Sequence, residues 1–165
     1  MDNLSKIITI LENEKIIYEK LLSLSMEKKN AIIEGKIKEL DSFLKLEGNL
    51  VLEISKLENE RESAADNLAK QLGCTREELT ISYISDTIKD KRGNQLKSIA
   101  DSIGQVLGKL KEVNDLNGKL IEQSLEYINF SINLVADSLD GQKVIYEGKT
   151  EGNKENNVRL FDAKV

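Results

Sequence analysis

A single glycine, Gly35, separates two long stretches whose apolar residues recur at helical intervals, and this arrangement constrains the fold more than any other feature. The first stretch, about Asn3 to Glu34, carries Leu4, Ile7, Ile8, Leu11, Tyr18, Leu21, Leu22, Met26 and Ile32 or Ile33. The second, Lys36 to about Leu72, carries Ile37, Leu40, Leu44, Leu50, Val51, Ile54, Leu57, Ala64, Ala65, Leu68 and Leu72. Neither striped helix can shield its apolar side alone. The connection is also too short to let them diverge, so an antiparallel hairpin is expected. Asp2 or Asn3 is placed to cap the first helix, Gly35 to end it in a left-handed backbone conformation, and Gly73 to end the second arm. Gly48 does not split that arm, because a lone helical glycine costs only ~1 kcal/mol relative to alanine.

After the hairpin, Thr75-Arg76-Glu77-Glu78 reads as a capping box that opens a short helix through Leu79, Ile81, Tyr83, Ile84 and Ile88, although Thr80 to Tyr83 also has strand propensity. Such a helix would cover the hairpin's open end. Lys89 to Asn94, with Gly93, reads as a turn. A last helix is expected from near Asn94 to about Asp140, on the seam Leu96, Ile99, Ile103, Val106, Leu107, Leu110, Val113, Leu116, Leu120 and Leu125. Gly104 and Gly108, one turn apart, would permit a close crossing, and the seam thins from Asn114 to Gly118, where a bend or frayed junction is expected. The expected fold is all-α: an elongated, coiled-coil-like antiparallel hairpin packed with a short helix and a long carboxy-terminal helix. One domain would span 1–140 and a flexible tail 141–165, since Gly148 to Asn157 has little to bury. The complete absence of proline and an aromatic content of 4% suit helices better than a sandwich or barrel.

Chemistry is scarce in this composition. There is no histidine and one cysteine, Cys74, so a disulfide or a common Cys/His metal site cannot form within one chain, and Ser23, Ser25 and Thr75 have no histidine to activate them. Glu12, Glu14, Glu58, Glu60 and Glu62 lie in charge-mixed stretches, alongside Lys56 and Arg61, and read as solvated helix surface. Gly104, Gly108 and Gly118 lack the context of a phosphate loop. The expectation is no enzyme, no metal and no cofactor. A net charge of -5 with interspersed signs gives no positive field for a phosphate backbone, so nucleic acid is not an expected partner. No run of eighteen apolar residues occurs and the first residues lack the pattern of a signal peptide, so a cytoplasmic chain without stable membrane insertion is expected.

One stretch exceeds what a core helix needs. From Leu120 to Leu139 the apolar residues Leu120, Ile121, Leu125, Tyr127, Ile128, Phe130, Ile132, Leu134, Val135 and Leu139 cannot all face one neighbouring helix. Either surrounding helices or a second copy bury the run, or it is a receptor surface for an amphipathic helix of another protein. In the second case Tyr127 and Phe130 are the best anchors, because aromatic side chains bring large contact area on few rotatable bonds. Ser124, Asn129, Ser131 and Asn133 would add hydrogen-bonding capacity without net charge.

The chain resembles the FlgN family of cytoplasmic flagellar export chaperones over most of Leu4 to Leu139. The resemblance runs through Tyr18, Leu21 and Leu22, the exit from Glu27 to Gly35, the second helix at Leu40, Glu47, Leu57 and Arg61, and above all Asn117, Leu120, Ile121, Ser124, Leu125, Tyr127, Ile128 and Phe130. Leu160 to Val165 is similar to the tail ending of clostridial or bacillar members. The resemblance implies a chaperone that binds the carboxy-terminal helical region of hook-filament junction proteins, prevents their premature association, and delivers them to the flagellar export apparatus. It implies client binding at Leu120, Ile121, Ser124, Leu125, Tyr127, Ile128, Phe130, Ile132 and Val135. The alternative is a structural coiled-coil protein whose late helix closes a homodimer without a client.

Overall fold

The computed structural model describes residues 2–147, with side chains described for residues 2–138. Four helices follow one another: α1 (Asn3–Ile33), α2 (Ile37–Leu72), α3 (Ile81–Thr87) and α4 (Lys91–Glu147), with no strand among the described residues. The helices divide between two bodies, one of residues up to Gln123 and one from Ser124 onward.

Within the first body the hairpin forms as its spacing predicts. Asp2 Oδ1 accepts the Ser5 N–H at 2.8 Å, and Gly35 and Gly73 take φ of +66° and +70°, a region a Cβ-bearing residue enters only at a cost. Cross-links between α1 and α2 step in opposite directions along the chain, as an antiparallel pair requires. Asn3 Nδ2 donates to Gln71 Oε1 at 3.3 Å, Arg61 Nε to Glu14 Oε1 at 3.0 Å, and Lys28 Nζ meets Glu47 Oε2 at 2.7 Å. The first part of α4 runs the same way as α1, since Gln95 donates to Glu12 while Asn117 donates to Ser25.

The main core lies where four elements converge. Leu4, Ile7 and Ile8 of α1 meet Ala64, Ala65, Leu68 and Ala69 of α2, Leu79 and Ile84 around α3, and Leu96, Ile99 and Ile103 of α4. Alanines on α2 let the neighbouring backbones come near, and Leu96 is wholly enclosed. Farther along the hairpin, Ile17, Leu21 and Ile54 form a smaller cluster flanked by Tyr18, Leu50, Leu57 and Leu110. Arg92 at the start of α4 bonds both Asp90 and Asp2, tying the α1 cap to the α4 entry.

Several local expectations need correction. Glu14 is buried, not solvated, and Arg61 is its half-buried partner. Met26, Ile33, Ile37, Leu44 and Val51 are exposed rather than part of the core. The Thr75 and Glu78 box forms, with Thr75 N–H donating to Glu78 Oε2 at 2.9 Å, yet it closes a turn. The helix starts one cap later, at Thr80, whose Oγ1 accepts the Tyr83 N–H at 3.1 Å, because Leu79 drops into the core between the two caps. Gly93 lies inside α4 rather than in a turn. Its Cα faces α3 so closely that an added Cβ would stand 3.1 Å from Ser85 Cα, and Ser85 Oγ donates to its carbonyl at 3.1 Å. Gly104 and Gly108 make no close crossing; an added Cβ would meet nothing within 4 Å at either. Helix α4 passes through Asn114 to Gly118 without a break. The polar residues there serve packing: Ser25 Oγ donates to Asn114 Oδ1 at 2.5 Å, and buried Asn117 Nδ2 donates to the Ser25 carbonyl at 2.9 Å. Helix α4 also continues past Asp140 to Glu147; residues 148–165 of the expected tail lie outside the described residues.

Candidate functional site

The sequence-predicted binding residues fall on α4 in two groups. In the first body, Leu120 is half-buried and Ile121 is exposed. The second body, as far as its side chains are described, is the single helical stretch from Ser124 to Ser138. One helix has no interior, so its large apolar side chains stay open to solvent: Leu125 is 54% exposed, Tyr127 72%, Ile128 50%, Phe130 59%, Ile132 55%, Leu134 53% and Val135 59%. The side chain of Leu139 lies outside the described residues.

Helical geometry sorts these residues into faces. At about 100° per residue, Leu125, Ile128, Ile132 and Val135 form one stripe, while Tyr127, Phe130 and Leu134 form a second that begins about 80° further round. Together they cover an arc of about 220°, against the roughly 100° that a single packed helix face requires. Glu126, Asn129, Asn133 and Asp137 are confined to the remainder. Tyr127, Ile128, Ser131, Ile132 and Val135 line a shallow, open groove with almost no polar surface. Ser131 does not change that character, because its hydroxyl donates at 2.9 Å to the Tyr127 carbonyl of its own helix. Tyr127 and Ile128 thus share a groove, whereas Phe130 points away from Ile128 and would need a partner reaching round the helix.

The other chemical groups have structural occupations. Glu14 is held by Arg61, Lys28 by Glu47, and the half-buried Cys74 thiol lies 3.8 Å from the Ala69 carbonyl. No group of three potential metal ligands occurs among the described residues, nor any helix long and apolar enough to cross a membrane. The sequence spacing places Leu50 and Val51 of α2 in the hairpin's apolar stripe and leaves Leu52 out of it. Leu50-Val51-Leu52 in succession cannot all turn toward α1, and Val51 and Leu52 are exposed.

A family model described as FlgN protein matches residues 1–153. The chain is 30% identical over 159 residues to the protein named "Uncharacterized protein YvyG" of Bacillus subtilis (strain 168), an alignment covering 96% of this chain and 97% of that one. No solved structure matches. With nearly the whole chain matched by both comparisons, the protein belongs to the FlgN family, the flagellar export chaperones.

Proposed function

We propose that this FlgN-family protein binds the carboxy-terminal helical region of hook-filament junction proteins in the cytoplasm, keeps it from associating prematurely, and hands it to the flagellar export apparatus. The observation that carries the proposal is the seven large apolar side chains between Leu125 and Val135, each at least half exposed on a helix with a narrow polar face. Leu125, Ile128, Ile132 and Val135 would take an amphipathic client helix as the i, i+3, i+7 counterpart of its own stripe. Tyr127 and Phe130 would anchor the far side of the client, and Leu120, Ile121 and Ser124 would extend the contact toward the amino terminus of α4. No bond of the client is made or broken: as an export chaperone the protein is not an enzyme.

Burying apolar area contributes about 25 cal/mol per Å², and a fully buried leucine or isoleucine roughly 1.5–3 kcal/mol. Leu125→Asp with Ile128→Asp would remove two such side chains and leave two carboxylates to be desolvated, which predicts a loss of at least about a hundredfold in client affinity. Calorimetry with a junction protein's carboxy-terminal segment, alongside circular dichroism to verify that helix content and melting are retained, tests this. Unchanged affinity refutes the assignment. Light scattering separates the homodimer reading, which requires two identical chains whose association the same substitutions abolish, from a one-to-one complex with client.

A further inference from the structure

We propose that residues 158–165 of this same chain occupy the α4 groove lined by Tyr127, Ile128, Ser131, Ile132 and Val135 when no client is present. The groove and its occupant match in two respects. In apolar spacing, Val158, Phe161 and Val165 stand at i, i+3 and i+7, the interval at which an amphipathic helix places anchors into an apolar groove. In reach, the eleven residues from Glu147 to Val158 can span about 36–40 Å, and Tyr127 lies about 30 Å back along α4, so the whole groove is accessible to the tether.

The composition of that tether separates it from its ends. Gly148 to Asn157 contains no apolar residue, so the groove has nothing to gain from this stretch, and the apolar residues resume at Val158. An intramolecular occupant needs little intrinsic affinity, because a short tether holds it at high effective concentration, and a client helix of larger contact area displaces it. The segment then shields the apolar groove between clients. This competition rests on the client-binding reading above; the seating of 158–165 does not.

The chain has no tryptophan, so Phe161→Trp in the full-length protein introduces a sole indole at the centre of the segment. Its fluorescence is expected to lie to the blue of a solvated indole, independent of protein concentration, and to return to the solvated position when Ile128→Asp and Ile132→Asp are added. A solvated emission that the groove substitutions leave unchanged overturns the proposal. A blue emission that grows with concentration also overturns it, by giving the groove to a second copy. In a second measurement, deletion of 158–165 should tighten client binding, by about tenfold if the segment is seated nine times in ten. Equal client affinity with and without the segment, despite a seated indole, removes the competition. A seated indole with no client capture by either form upholds the seating and refutes the client reading instead.

Discussion

Arg61→Met should unfold this protein's hairpin more readily than any other single charge removal among its solvated-looking helix residues. Glu14 has a side chain only 4% exposed, and its named ionic partner is Arg61, with Nε 3.0 Å from Oε1. Removing one member of a buried pair strands the other charge, typically at a cost of about 3–5 kcal/mol. The Arg61 side chain is 33% exposed, so water can reach Glu14 once the guanidinium is gone, which lowers the expected cost to about 2–3 kcal/mol. In a protein of this size that is roughly a 10 °C fall in melting temperature. The double variant Glu14→Leu with Arg61→Met removes the charge together with its partner. It should return to within about 1 kcal/mol of the parent, because a buried pair replaced by apolar groups of similar volume is often neutral or better. Urea unfolding followed by far-ultraviolet circular dichroism on the parent, both single variants and the double closes the cycle. A loss below about 0.5 kcal/mol for Arg61→Met, or a double variant as weak as the sum of its singles, would refute the reasoning.

Helical glycines give a contrast in sign: Gly104→Ala, with open space around its Cβ, should stabilise by about 0.5–1 kcal/mol, whereas Gly93→Ala should gain nothing or lose stability because its Cβ presses on Ser85 Cα at 3.1 Å. Thermal melts of both variants check this, and equal gains would refute the close approach of α3. Asp2 is held from its ordinary 3.8 down to about 2, first by accepting the Ser5 backbone N–H and then by the Arg92 guanidinium. Its contribution to stability is therefore present above pH 3.8 and lost as pH falls through about 2, so Asp2→Asn, which keeps a capping side chain, should flatten the melting temperature across that acid window. Burial, then the charges of Glu14 and Glu58, raises the Tyr18 phenol above its ordinary 10.0. The stability this gives holds below pH 10.0 and is lost as pH climbs through the raised value, and Tyr18→Phe should remove that alkaline loss in a pH series of urea unfolding.

The hairpin could be read from the chain because its determinants are local. Asp2, Gly35 and Gly73 each act within a turn of where they stand, and apolar spacing needs only the helix that carries it. Glu14 could not be read this way: its partner lies 47 positions along, and nothing near Glu14 distinguishes it from Glu12. Ile37, Leu44 and Val51 share the periodicity of a core stripe, but periodicity says only that a helix has an apolar side, not that the fold provides a cover for it. Two successive caps, at Thr75 and Thr80, were both chemically sound, and the burial of Leu79 decided between them. The run after Leu120 announced itself because Glu126, Asn129, Asn133 and Asp137 leave more than half of the helix circumference apolar. Its division into two stripes, with Ile128 in one and Phe130 in the other, needed helical geometry rather than a tally of apolar residues.

The contact between Ser25, Asn114 and Asn117 acts as a detent. A helix with an apolar residue every three or four positions can ratchet along its neighbour by one turn, about 5.4 Å, and still present alkyl groups to alkyl groups. Such a step would bring Val113 or Ile121 against the Ser25 carbonyl, where Asn117 Nδ2 now donates at 2.9 Å, and would leave a buried amide to find partners elsewhere at a cost of about 1–3 kcal/mol. Axial slippage of α4 along α1 is thereby penalised where the apolar seam alone would allow it. An insertion of one helical turn between Ile103 and Asn114 could not be absorbed by sliding, because it would part Asn114 and Asn117 from the serine on the first helix that holds them.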